Sequence, residues 1–248
     1  MKGIVQRLLH GGAPNTAAVI LAAGLGTRMQ SSTEKTKQLR TLLSVPVVVH
    51  SLRAFEACPE ISEIVLVARA EELEVMQTLV SKYGIKKLSR IVVGGKTRQA
   101  SAKNGFLAIG KKAKYVAIHD AARCLILPSQ IGNVVTAAWT HRAATAAAVM
   151  EDTVKLATKE GFIERTVPRE TVFAAQTPQV FDCDLYAAAL YTAEKRGDVV
   201  TDDNMLLENI TQAIKLVDCG KNNFKITTEE DILRAAALLQ QRGDTYDT

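Results

Sequence analysis

Glycines and cations gather where apolar runs end. The stretch from Ala17 to Lys37 opens with an apolar run, Ala17 to Ala23, and then gives Gly24, Gly26, Arg28, Lys35 and Lys37. A strand that ends in a glycine turn exposes backbone N–H groups with no Cβ in the way. Such N–H groups, flanked by cations, form a site for phosphate. A plain strand–turn–helix link is the bland alternative. Two nucleotide fingerprints fail here. The third glycine position of Gly-x-Gly-x-x-Gly is Met29, and Ser44–Val47, about twenty residues on, holds no acid for a ribose. No Gly-Lys-Ser or Gly-Lys-Thr directly follows Gly24 and Gly26, so this is not a Walker A loop. A short turn carrying Arg28 and then Lys37 suits a mobile, highly charged phosphate chain.

Other apolar runs end in the same kind of residue. Ile91–Val93 leads into Gly94-Gly95-Lys96-Thr97-Arg98, with Ser101 one turn on; Tyr115–Ile118 leads into His119-Asp120-Ala121-Ala122-Arg123. Ala146–Met150 leads to Asp152, Thr153 and Lys155, and Ile214–Asp218 to Lys221 and Lys225. In an open parallel sheet, ligands bind beyond the carboxyl ends of the strands, so these loops share one edge. Arg28, Lys37 and Lys225 have the charge to neutralise a triphosphate and its transition state. Asp120 is placed for Mg²⁺ or a ribose hydroxyl, or as a turn acid paired with Arg123. Gly94-Gly95 would let a flat base lie against backbone, with Ser101 adding one hydrogen bond or serving as an ordinary helix serine. His119 is a candidate general base, although a histidine at a strand end is more often structural. Asp202-Asp203 after Thr201 reads as a helix start.

The elements that must hold these loops follow from periodicity. Val47–Ala57, Glu71–Tyr83, Arg98–Ile109, Ile131–His141 and Leu185–Lys195 read as helices, alternating with strands at Ile64–Ala68, Ile91–Val93, Tyr115–Ile118, Ala146–Met150 and Ile214–Asp218. Such alternation means βαβ units around a mostly parallel sheet. The rhythm breaks between Glu151 and Phe181. Thr153–Ala157, Phe162–Val167 and Thr171–Ala175 read as strands without intervening helices, with a hairpin turn at Lys159-Glu160-Gly161. This antiparallel excursion is placed to project as a lid or a dimerisation arm. Phe224–Ile226 reads as a very short strand, and Thr227 with Glu230 as a capping box for the final helix. Residues 1–15 form a loose lead-in and a poor signal peptide.

The chain has 248 residues, 47% hydrophobic and 23% charged, with no linker or repeat, and it reads as a single α/β domain over 1–248. The net charge of +5 fits an anionic substrate. Aromatics at 5% argue against a base-stacking nucleic-acid platform. Cys58, Cys124, Cys183 and Cys219 have no Cys-x-x-Cys spacing, which argues against a zinc site or a disulfide framework and makes a reducing cytoplasm the default. No run reaches membrane-spanning length.

In its ordered motifs the chain resembles the 2-C-methyl-D-erythritol 4-phosphate cytidylyltransferase family of the non-mevalonate isoprenoid pathway. The matching pieces run from Ala22-Ala23-Gly24-Leu25-Gly26-Thr27-Arg28-Met29 and Lys37-Gln38 through Gly94-Gly95-x-x-Arg98-x-x-Ser101 and His119-Asp120-Ala121-Ala122-Arg123. They continue through Asp152-Thr153-x-Lys155, Thr166-Val167-x-Arg169, Gln176-Thr177-Pro178-Gln179 and Thr201-Asp202 to Lys225. Cys124 stands where the family usually has proline, Asp203 where it has glutamate, Leu39 where it has an aromatic residue and Thr36 where it has proline.

The resemblance implies a three-layer, Rossmann-like nucleotidyltransferase with a β-arm at about 151–175. It implies CMP transfer from CTP to methylerythritol phosphate, with Mg²⁺ and release of pyrophosphate. Arg28, Lys37 and Lys225 would be catalytic. Ala22, Ala23, Gly24, Gly26, Gly94, Gly95, Arg98, Ser101 and Asp120 would bind nucleotide, with Asp120 also the candidate metal ligand. Arg123, Asp152, Thr153, Arg169, Thr177 and Thr201 would bind the acceptor, and the arm would join a homodimer. No nucleic acid or membrane is implied. Two alternatives stand beside it: a cytidylyltransferase for ribitol 5-phosphate or another polyol phosphate, and an NAD(P)-dependent oxidoreductase with a degenerate glycine motif.

Overall fold

The computed structural model describes residues 13–24, 36–210 and 212–243. Gly26, Arg28 and Lys35 lie outside them, as does most of the lead-in. The strands are β1 (Thr16–Leu21), β2 (Thr41–Leu42), β3 (Val45–Pro46), β4 (Ile61–Ala68), β5 (Leu88–Val93), β6 (Tyr115–Asp120), β7 (Ala143–Val149), β8 (Val154–Ala157), β9 (Ile163–Val167), β10 (Phe173–Asp182) and β11 (Lys215–Asp218). The helices are α1 (Val47–Ala57), α2 (Leu73–Lys82), α3 (Arg98–Ala108), α4 (Pro128–His141), α5 (Cys183–Arg196), α6 (Asp203–Glu208) and α7 (Glu229–Gln241).

One seven-stranded sheet has the order β11-β7-β10-β6-β1-β4-β5. Its pairs are parallel except those of β10, which runs antiparallel to both β6 and β7. Side chains alternate across a strand. Ala18, Ile20 and Ala22 therefore pack with Val48, Leu52 and Phe55 of α1, Met76 of α2 and Val134 of α4. Val19 and Leu21 face the other way, to Ala102 of α3, Tyr186 of α5 and Leu206 of α6. These are the three layers that the alternating pattern and the resemblance imply.

β8 and β9 form a separate two-stranded hairpin, turned at Gly161 with φ +90°. It shows solvent most of its residues, including Phe162 at 73% and Ile163 at 67% exposure.

Three local expectations need correction. The strand read at Thr171–Ala175 is the opening of β10, a ten-residue strand within the main sheet. Pro178 interrupts the pattern because proline cannot donate to a ladder. The strand accommodates it in a bulge between Ala175 and Gln179 that contains a cis Thr177–Pro178 peptide. Phe224–Ile226 is not a strand; its backbone bond, Ile226 N to Ala122 O at 2.8 Å, joins it to the loop just after β6. The capping box of α7 lies one residue on, between Thr228 and Asp231, while Thr227 gives both its N–H and its hydroxyl to the Asp231 carboxylate.

Candidate active site

The loops after β1, β4, β5 and β6 and the loop before α7 enclose a cavity of about 450 Å³ at the carboxyl edge of the parallel strands. Ala23, Gly24, Lys37, Gly94, Gly95, Arg98, Ser101, Asp120 and Lys225 all line it. Residues up to 202 positions apart in sequence thus meet because parallel strands deliver their C-terminal ends to one side.

The wall at Gly94–Gly95 is held by α3. Thr97 caps the helix by accepting from Ala100 N at 3.0 Å. Ser101 accepts from Gly95 N and donates to Thr97 O, both at 3.0 Å. The slot is tight: a Cβ on Gly94 would stand 2.4 Å from the Ala23 Cβ. Ala22 itself is buried in the core, and its N–H donates to Val67 O.

A chain of charges runs from the cavity wall into the protein. Asp120 Oδ2 accepts from Lys225 Nζ at 2.6 Å and Oδ1 from Arg98 Nε at 3.2 Å. Arg98 Nη1 continues to Asp203 Oδ2 at 2.6 Å, and Tyr186 donates to Asp203 Oδ1 at 2.6 Å. Burial alone would raise the Asp120 carboxyl. Arg98 and Lys225 outweigh that and hold it well below the usual carboxylate range. Burial would likewise lower the Arg98 guanidinium, but Asp203 and Asp120 hold it charged. Burial and then Asp203 push the Tyr186 phenol well up. Arg98, expected from the sequence to bind nucleotide, is seen here as the bridge between two acids.

The expected acceptor residues divide into two groups. Thr177 is buried: its hydroxyl oxygen accepts from Asp120 N at 3.1 Å and lies 3.0 Å from His119 Nδ1. The bulge explains this contact. Pairing of β10 with β6 stops at Gln179–Ile118, and the Thr177 hydroxyl takes the N–H that the ladder leaves. Arg123 lies nearby, donating to Asn223 O and Ala175 O. Asp152, Thr153 and Arg169 instead lie exposed at the base of the hairpin, where Arg169 donates to Glu151 O. Thr201 is exposed and bonds Met205 Sδ. Lys155 and Lys221 do not line this cavity and are bonded to Thr166 and Glu151.

His119 is fully buried against the Phe55 ring, 4.8 Å between centroids. Burial lowers its pKa to about 3. A neutral imidazole sealed from solvent cannot exchange protons with a substrate, so the general-base reading is set aside. Sequence reasoning missed Arg69 and Glu71, an ion pair at the cavity rim just after β4. The signal was available, since Arg69 immediately follows the apolar run that ends at Ala68. Cys124 packs with Leu42, Val47 and Leu239 beneath α7, and burial raises its thiol to about 12.

Magnesium binds one or two carboxylates together with phosphate oxygens. Among the described residues no three His, Cys, Asp or Glu side chains converge on a point. Asp120 is ionised at the cavity wall but engaged by two cations. This donor set fits an ion that would be carried chiefly by a triphosphate, with Asp120 the residue that would offer it a carboxylate.

The sequence matches the family profile described as IspD: 2-C-methyl-D-erythritol 4-phosphate cytidylyltransferase over residues 16–241. A protein of that name from Pelotomaculum thermopropionicum is 42% identical over 227 residues, covering 91% of this chain and 94% of its own. Another from Clostridium botulinum is 37% identical over 225 residues, covering 91% and 97%. The crystal structure of 4-diphosphocytidyl-2C-methyl-D-erythritol synthase from Anaerococcus prevotii superposes with a TM-score of 0.80 at 30% identity, covering 92% of this chain and 99% of that one.

Proposed function

This chain belongs to the 2-C-methyl-D-erythritol 4-phosphate cytidylyltransferase family, and from that premise we propose how its cavity performs the transfer. The enzyme moves CMP from CTP to 2-C-methyl-D-erythritol 4-phosphate, giving 4-diphosphocytidyl-2-C-methyl-D-erythritol and pyrophosphate. An oxygen of the acceptor phosphate attacks the α-phosphorus of CTP and forms a new P–O bond. The bond between the α-phosphorus and its bridging oxygen breaks, and pyrophosphate leaves with the electron pair. No covalent nucleophile from the protein is needed; positioning and charge stabilisation supply the rate.

The observation that carries this assignment is that the Gly94–Gly95 slot, Lys37 and Lys225 line one and the same cavity. The slot takes the base, with Ser101 fixing the Gly95 backbone. Lys37 and Lys225, together with Arg28 outside the described residues, act on the α-phosphate, where negative charge grows. Asp120 fixes Lys225, and it is the residue that would hold a divalent cation, which would supply charge neutralisation on the phosphates. Arg123, Thr177 and the hairpin residues Thr153 and Arg169 serve the acceptor.

Phe162 and Ile163 are apolar and exposed on the hairpin, which supports its use as the arm of a homodimer. Four free cysteines are in keeping with a cytoplasmic setting. No described helix is long and apolar enough to cross a membrane. No specific observation favours ribitol phosphate or a nicotinamide cofactor.

The test is pyrophosphate release with CTP and Mg²⁺, run in parallel with methylerythritol phosphate and ribitol 5-phosphate. Release with the first alone is expected. Release with ribitol phosphate alone would keep the chemistry and overturn the acceptor.

A further inference from the structure

Lys225 rides on a loop with no regular secondary structure, between the end of β11 at Asp218 and the start of α7 at Glu229. A buried pair of amides holds that loop. Gln176, in the bulge of β10, donates from Nε2 to Gly220 O at 2.9 Å and accepts at Oε1 from Asn223 Nδ2 at 2.8 Å. The same Asn223 Nδ2 also donates to Thr177 O at 3.0 Å. Asn223 is 1% exposed. Both acceptors face its nitrogen, so flipping the amide would set oxygen against oxygen. The orientation leaves Asn223 Oδ1 buried with no hydrogen-bond partner among the described residues. A native fold rarely leaves a buried acceptor unpaired. The side chain is oriented for its two donor bonds despite that cost.

Those bonds join the two halves of one ion pair. Thr177, whose carbonyl Asn223 holds, presents its hydroxyl to Asp120 N. Lys225, two residues beyond Asn223, meets the carboxylate of the same Asp120 at 2.6 Å. We infer that Asn223, clasped by Gln176, is a positioning residue for the transfer step, setting Lys225 against Asp120 and the α-phosphate. This rests on the proposed role of Lys225.

The experiment compares wild type, Asn223→Ala, Lys225→Met and the double variant, with thermal melts and steady-state pyrophosphate release. A misplaced catalytic group loses rate more than binding, so Asn223→Ala should lower kcat roughly tenfold to hundredfold with a far smaller change in the KM for CTP. In the Lys225→Met background it should cost no further kcat, because the group it positions is gone. Wild-type kcat in Asn223→Ala, or a loss that multiplies in the double variant, would overturn the inference. If Asn223→Ala fails to fold, Gln176→Ala removes the clasp from the other side and is read by the same cycle.

An independent readout separates this inference from the functional assignment. NMR of ε-¹³C-lysine protein, with the Lys225 signal assigned by its loss in Lys225→Met, reports the ion pair without turnover. Should wild type release no pyrophosphate with either acceptor, the assignment fails. The positioning role then stands if the Lys225 signal in Asn223→Ala moves to that of an exposed lysine, and falls if it does not move.

Discussion

A methyl group placed on Gly94 tests the base slot directly. The new Cβ would lie 2.4 Å from the Ala23 Cβ, 3.0 Å from Ser101 Oγ and 3.5 Å from Val67 Cγ1. Non-bonded carbons rest about 3.5–4.0 Å apart, so one backbone must retreat by about 1 Å. Neither is free to do so: Gly94 N donates to Ala68 O at 2.8 Å, and Ala22 N, next to Ala23, to Val67 O at 2.7 Å. Overpacking of this kind costs about 1–3 kcal/mol. For a chain of this size that lowers the melting temperature by roughly 2–12 °C. CTP binding, measured by calorimetric titration, should weaken as the slot deforms. Ala23→Gly in the Gly94→Ala background removes the clashing methyl and leaves only the approach to the Ser101 hydroxyl. It adds about 0.5–1 kcal/mol of glycine chain entropy, which sets the ceiling on recovery. The double variant should therefore regain most of the lost stability and CTP affinity when the single variant's loss is near the top of the range. A Gly94→Ala protein that melts and binds CTP like wild type would refute the packed-slot reasoning, as would a double variant no better than a single variant whose loss is near the top of the range.

Lys225→Met should lower kcat roughly 10²–10³-fold in the pyrophosphate assay, the scale for one transition-state charge donor; an unchanged kcat removes it from the catalytic set. Buried His119 has a pKa of about 3, well below its ordinary value, so below about pH 6.5 the unfolded chain takes a proton that the folded one refuses. Its neutral form contributes full stability above pH 6.5, and that contribution falls by about 1.4 kcal/mol per pH unit as pH drops toward 3. Urea unfolding between about pH 6 and pH 4 should show that slope flattened in His119→Gln; an equal slope would mean that His119 is not the titrating group. Arg169→Ala, at the hairpin base, should raise the KM for the acceptor and spare that for CTP; the reverse pattern in initial-rate kinetics would place it in the nucleotide site. Phe162→Asp should shift the protein to monomer in sedimentation velocity, and a dimer of undiminished affinity would exclude this face of the hairpin.

Much of this architecture was legible because local rules and the fold agree. The helix read at Val47–Ala57 has those bounds, since its apolar face meets the sheet and Cys58-Pro59 ends it. The glycines and cations after β1, β5 and β6 converge because parallel strands send their C-terminal ends to one edge. β10 was half hidden, because Pro178 imitates a strand terminus and only the sheet on either side shows that the strand continues. Asp203 read as a helix start, which it is; its bridge to Arg98, 105 positions away, has no local signature. Asn223 was invisible for a similar reason: an asparagine in a lysine-rich loop looks like a turn residue until its partners are known. His119 is structural, as a histidine at a strand end more often is, and its burial keeps the imidazole neutral.

The position of β10 carries a consequence for the order of assembly. It lies between β6 and β7, yet follows both in the chain. Until it arrives, β7 and β11 have no ladder to the four-stranded half formed by β6, β1, β4 and β5. That half is complete in sequence by Asp120, whereas β10 begins at Phe173. Chains emerging from the ribosome fold their N-terminal parts first. We therefore expect the β1, β4 and β6 amides to gain protection before those of β7 and β11 in pulse-labelled exchange; simultaneous protection would count against a stepwise closure. The nucleotide slot and Asp120 belong to the early half, Thr177 and Lys225 to the late one. A chain halted between the two stages would possess a place for the base and no Lys225 to drive the transfer.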